Sequence, residues 1–98
     1  MIESLALHDA TLRSIHIAWA DGECVLRFAT FANARCELAF TGVTEVIVPR
    51  NQPWGRSKSV NSLRQSEDGK YEIEMQSGDV LRIFAAKWTF RTYEEGPD

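Results

Sequence analysis

The sequence predicts an all-β protein, an antiparallel meander of about seven to eight strands forming a two-layer sandwich or a small open barrel. Three observations carry that expectation. Apolar residues alternate with polar ones, no long segment shows helical periodicity, and turn signals recur about every eight to twelve residues. The 98 residues make a single all-β domain with 94–98 as a flexible, solvated tail, long enough to bury well over half of the surface the unfolded chain exposes. At 44% hydrophobic and 26% charged, the composition is globular rather than disordered.

Ile2, Leu5 and Leu7 lie in a short extended or irregular lead suited to covering one edge or end of a sheet. His8 and Asp9 then precede the first strand. Leu12 is out of phase with Ile15, Ile17 and Trp19, which predicts a bulge or bend near Arg13 and Ser14. Asp21 and Gly22 read as a two-residue hairpin loop, so Ala20 faces Glu23, Trp19 pairs with Cys24, Ile17 with Leu26 and Ile15 with Phe28. Phe31, Ala32 and Asn33 read as a three-residue loop with Asn33 left-handed, pairing Phe28 with Cys36, Leu26 with Leu38 and Cys24 with Phe40.

These apolar rows share one face. The opposite face carries His16, Arg27 and Glu37 in one row and Ala18, Val25 and Ala39 in another. A one-residue slip would expose the whole apolar set, so burial pins the register. The Arg27–Glu37 attraction adds about 0.2 to 1 kcal/mol, far less than burial of the inner rows.

Thr41 and Gly42 permit a kink into a fourth strand, Val43–Val48, which Pro49 ends. Val43 and Ile47 point one way and Val46 and Val48 the other, as in a strand partly covered on both faces. Arg50–Lys58, with two prolines and a glycine, is the principal loop. Ser59–Gln65 resumes as a strand, and Glu67, Asp68 and Gly69 turn it back with Gly69 left-handed, pairing Leu63 with Ile73 and Gln65 with Tyr71. Tyr71, Ile73 and Met75 alternate with Glu72, Glu74 and Gln76, giving a half-buried strand with an acidic outer side. Ser77, Gly78 and Asp79 close the next hairpin into Val80–Ala86, with Leu81 and Ile83 beside Met75 and Ile73, whereas a two-residue loop would reverse that phase. The last strand, Lys87–Tyr93, brings Trp88 and Phe90 to one face.

Cys24 and Cys36 fall diagonally rather than opposite one another, which predicts reduced, buried thiols acting as small hydrophobes. A net charge of −3 and a pI near 5.3 argue against broad nucleic-acid binding. No apolar run approaches the ~18 to 20 residues that span a bilayer. Met1–Ala10 lacks a basic region followed by an apolar one, so a cytoplasmic location without membrane attachment is expected.

His8, Asp9 and His16 are suitable metal ligands or proton carriers, yet their spacing matches no metal pattern. Asp9 capping the bend into the first strand and His8 bonding a nearby carbonyl is the favoured reading. Ser57, Ser59 and Ser62 lack a nucleophile-elbow context, and no phosphate-binding glycine loop is present. No catalytic residue, metal or cofactor is therefore expected. Binding is expected instead at the Arg50–Lys58 loop. Arg50, Arg56, Lys58 and Arg64 fall in a stretch without an acid, around Pro53, Trp54 and Gly55. Trp54 either presents an indole to a partner, with the basic side chains selecting an acidic ligand, or folds back as a plug.

The His8-Asp9-Ala10 opening, the alternating strand ending in Trp19, the turn at Gly22, the Phe40–Val43 segment with Gly42, and Ser59-Val60-Asn61-Ser62-Leu63 together resemble a family of small uncharacterised bacterial all-β domains. Some bacterial toxin-immunity proteins open in a similar way. The resemblance implies an all-β bacterial domain and no particular activity. Three functions follow as alternatives: a noncatalytic module that binds a protein partner, a ligand-binding domain or enzyme with its site near His8, Asp9 and the 50–58 loop, and a homodimer paired through strand edges.

Overall fold

Strands that alternate with a period of two each carry one apolar side, and the chain buries those sides by laying two antiparallel sheets face to face. The computed structural model describes residues 1–30, 34–51 and 59–93. The elements are β1 (Thr11–Ala18), β2 (Glu23–Ala29), β3 (Arg35–Thr41), β4 (Glu45–Ile47), β5 (Val60–Glu67), β6 (Lys70–Met75), β7 (Val80–Phe84) and β8 (Lys87–Tyr93), with short 3-10 turns at Ile2–Ser4 and Trp19–Asp21. One sheet has the order β1-β2-β3-β8 and the other β4-β7-β6-β5. The result is the predicted all-β fold, as an eight-stranded sandwich rather than a closed barrel. No helix among the described residues is long and apolar enough to cross a membrane.

β1-β2-β3 and β5-β6-β7 are meanders, but β3 runs on into β4 and β7 into β8, so the chain crosses between sheets at both places. The crossing is one continuous ribbon. Ala86 donates its amide to the Thr41 carbonyl and Thr44 donates to that of Phe84, each at 2.9 Å, linking the β3–β8 ladder to the β4–β7 ladder. Gly42 makes the corner at φ +66°, where a Cβ would come within 2.7 Å of that of Ala86.

The β2–β3 register is as predicted, with Phe28 opposite Cys36, Leu26 opposite Leu38 and Cys24 opposite Phe40. The β1–β2 register differs by two residues: Ile15 faces Leu26 and Ile17 faces Cys24. The reason is the connection. Trp19–Asp21 winds into a 3-10 turn closed by left-handed Gly22 (φ +63°), so Ala18 rather than Ala20 faces Glu23. A shift of two preserves the faces, and the bulge falls between Leu12 and Ser14 as expected. The shift carries the apolar row beyond its cover, leaving Ile17 and Trp19 45% and 69% exposed.

In the second sheet Leu63 faces Ile73 and Gln65 faces Tyr71, as predicted, with left-handed Gly69 in the turn. Leu81 and Ile83 instead face Ile73 and Tyr71, again two residues from expectation, because the turn is centred one residue earlier: the Met75 amide donates to the Asp79 carbonyl at 2.8 Å, so Gln76, Ser77 and Gly78 rather than Ser77, Gly78 and Asp79 separate the strands. The fourth strand is shorter than Val43–Val48. Val43 is buried and Val46 packs on the core, whereas Ile47 and Val48 are exposed at the sheet edge.

The core lies between the sheets. Leu26, Phe28, Leu38 and Phe40 meet Ile73, Met75, Leu81 and Ile83, and the rings of Phe40 and Tyr71 lie 5.2 Å apart across the layers. The N-terminal lead closes one end with Ile2 and Leu7 fully buried, and Glu3 accepts a 2.9 Å hydrogen bond from the Gln65 amide. Both cysteines are free and buried as predicted. Burial pushes the Cys24 thiol up to about 11 and raises that of Cys36, so both remain protonated at neutral pH.

Candidate functional site

Of the predicted binding residues, Trp54, Arg56 and Lys58 lie outside the described residues, as does Ser57. Arg50 is exposed, immediately before the segment. The two flanks of that segment are both described, and both attach to the turn between β6 and β7. The Asn51 amide donates to Asp79 Oδ1 at 3.4 Å. On the other side, the Ser59 carbonyl accepts from the Gln76 amide at 2.9 Å, and Ser59 bridges to Thr11.

His8 and Asp9 sit at the same end. His8 Nδ1 bonds the Asn61 carbonyl at 2.7 Å, the predicted carbonyl partner. Asp9 makes the bend by a different device. It adopts φ +67°, a region that Asp tolerates better than most residues, and donates its amide to the Val60 carbonyl. Its carboxylate accepts from the Gln76 side chain and lies 3.6 Å from His8 Nε2. Both side chains are exposed. His16 lies apart on the outer side of β1 opposite Val25, and Ser62 hydrogen-bonds Glu74. Among the described residues no group of three or more His, Cys, Asp or Glu is placed to hold a metal ion.

Two charge clusters escaped the sequence reading in their full extent. On the outer side of the first sheet, Glu37 accepts from Arg27 Nε at 3.2 Å and from Arg91 Nε at 2.6 Å. On the second, Glu72 accepts from Arg64 Nε at 2.7 Å and Arg82 Nε at 3.0 Å. Alternation marked Glu72 as an outward acid, yet its side chain is only 7% exposed because arginines on both neighbouring strands close over it. The signal available in the sequence was the register itself, which sets Arg64 beside Glu72.

The hydrogen bond from Arg91 holds the Glu37 carboxyl below its ordinary range, opposed by burial and helped by Arg27. Burial pushes Glu72 upward, but the hydrogen bonds and charges of Arg64 and Arg82 outweigh it and the net shift is down. A carboxylate with a depressed folded pKa stabilises the fold above its unfolded value, and that contribution is lost as pH falls through the folded value. Stability in urea should therefore fall on acidification from about pH 5 to about pH 3, and the Glu37→Gln/Glu72→Gln double variant should show a shallower fall. Equal slopes for the two proteins would refute the assignment.

The outer sides also hold two open polar concavities. A cleft of about 270 Å³ is lined by Arg13, Ser14, Arg27 and Tyr93, and one of about 120 Å³ by Ser62, Arg64, Glu72, Glu74 and Val80. No protein-family model, curated protein or solved structure matches the chain.

Proposed function

We propose that this protein is a noncatalytic, cytoplasmic interaction module, of the kind bacterial immunity proteins exemplify, that binds a protein partner through Arg50–Lys58 with His8 and Asp9 at its base. The observation that supports this reading is the rooting of the segment. Asn51 and Ser59 are hydrogen-bonded to Asp79 and Gln76, the two ends of one tight turn between β6 and β7. A loop whose ends leave from one spot on a packed scaffold suits recognition, because the scaffold fixes where the loop is presented. Its composition selects the partner: Arg50, Arg56 and Lys58 favour an acidic surface, and Trp54 supplies a flat apolar anchor.

Acrylamide quenching of the wild type against Trp54→Phe, repeated over a dilution series, tests the proposal. The subtraction is necessary because Trp19 is itself 69% exposed. Trp54 is expected to be quenched readily at every concentration. Protection at every concentration would make it a core residue, and exposure only on dilution would place it in a homodimer interface; either result overturns the reading.

A further inference from the structure

We propose that the Trp19–Asp21 turn and the adjoining end of β1 form a second recognition surface, which docks a basic segment of a protein partner, its apolar residues over Trp19 and Ile17 and its lysines or arginines against Asp21, Glu23 and Glu45. The inference is independent of the Arg50–Lys58 reading. The Ser59 flank of that loop pairs with Thr11 at the start of β1, whereas the turn follows Ala18 at its end, roughly 25 Å along the strand.

Packing does not account for the apolar part of this surface. Ile17 ends the inward row that continues through Cys24, Phe40 and Trp88, and β1 is the outermost strand of its sheet. The facing sheet does not cover that end of the row. Ile17 is 45% exposed, and Trp19, carried out of the strand by the 3-10 turn, is 69% exposed. Leu5, Ile15, Val46, Trp88 and Phe90 are the partly buried apolar residues that pack on the core, and neither Ile17 nor Trp19 is among them. An indole beside an isoleucine is therefore apolar area that folding does not remove from water, and tryptophan is among the side chains that most often anchor a protein contact.

The charge beside this area specifies the partner. Asp21 belongs to the same turn, Glu23 lies opposite Ala18, and Glu45 comes two residues after Val43, whose amide donates to the Gly22 carbonyl at 2.9 Å. Segments 14–26 and 42–48 carry these three acids and no lysine or arginine. Among the described residues, the three carboxylates make no ion pair or hydrogen bond. Two lysines stand one strand further off, Lys87 beyond Thr41 from Glu23 and Lys70 beyond Phe84 from Glu45, and Lys70 is engaged by Glu67 and the Phe84 ring. Unpaired carboxylates attract a cation from outside, and a guanidinium or ammonium over the indole face adds cation–π attraction. The same acids repel nucleic acid and anionic lipid, and a second copy with its own net charge of −3 would set like charge on like. Docking of another copy's Arg50–Lys58 loop here would join opposite ends of β1 and run on into open chains rather than close.

The test is fluorescence anisotropy of a rhodamine-labelled octapeptide of alternating lysine and leucine titrated with the full chain, beside octalysine and an alternating glutamate–leucine peptide. The lysine–leucine peptide should bind at least about tenfold more tightly than either comparator. Trp19→Ala, at an exposed position outside the core, should weaken its binding about five- to tenfold, and Asp21→Asn and Glu45→Gln about two- to threefold each. Between roughly 20 and 300 mM salt the effect of the acid variants should fade while that of Trp19→Ala persists. Asp68→Asn at the β5–β6 turn and Arg56→Gln/Lys58→Gln in the loop should not weaken binding. The proposal is overturned by no binding of the lysine–leucine peptide, by octalysine binding equally well, by Asp68→Asn weakening binding as much as Glu45→Gln, or by self-association in sedimentation velocity that Trp19→Ala abolishes. Binding to phosphatidylcholine vesicles that is lost in Trp19→Ala would also overturn it, by assigning the surface to a lipid interface.

Discussion

Phe40→Ala is expected to cost about 3 to 5 kcal/mol. Phe40 is fully buried at the centre of its cross-strand row, between Cys24 and Trp88, and its ring meets Tyr71 from the facing sheet at 5.2 Å. Truncation removes the apolar area, leaves a cavity and ends the aromatic contact, itself worth about 0.5 to 1.5 kcal/mol. A domain of this size holds only about 5 to 15 kcal/mol in all, so the variant should unfold at markedly lower urea, with Tm down by roughly 15 °C or more. A loss below about 1 kcal/mol would mean that the two sheets do not depend on this ring.

The second large effect is at the corner between sheets. Gly42→Ala should cost about 2 to 4 kcal/mol, because the left-handed backbone (φ +66°) is joined by a Cβ contact of 2.7 Å with Ala86. Gly22→Ala has nearly the same φ, +63°, but its nearest neighbours stand at 3.7 and 3.8 Å, so only the backbone cost of about 1 to 2 kcal/mol applies. Chemical denaturation of the two variants separates strain from clash. Ala86→Gly placed on Gly42→Ala should recover most of the excess, and failure to recover it would show that the corner relaxes by another route.

How much of this was legible from sequence follows from what each strand had to satisfy. β2 and β3 are buried along one face over their whole length, so every apolar residue constrains the pairing and the register could be read off directly. β1 is an edge strand with one neighbour, and a two-residue shift left its face unchanged. Nothing in the alternation distinguishes the two registers, and the 3-10 turn at Trp19–Asp21 decided between them. The His8 carbonyl bond was readable because local polar groups near a bend need partners. The outer charge clusters were readable only pairwise: Arg27–Glu37 followed from one hairpin, whereas Arg91 joins across a strand contact separated by half the chain. The crossing of β3 into β4 and β7 into β8 left no mark in periodicity beyond Gly42.

The N-terminal attachments bear on the order in which the protein can assemble during synthesis. Glu3, His8 and Asp9 bond to Gln65, Asn61 and Val60, and Ile2 is buried in a core shared with β5, β6 and β7. Residues 2–9 thus have no docking place until β5 has been synthesised about fifty residues later, and the first sheet lacks β8 until translation reaches Tyr93. Such nonlocal closure favours slow, late condensation over stepwise growth from the N-terminus. Ile2, Leu7 and the β3 edge must therefore stay uncovered on the nascent chain, the interval in which a chaperone would have most to protect.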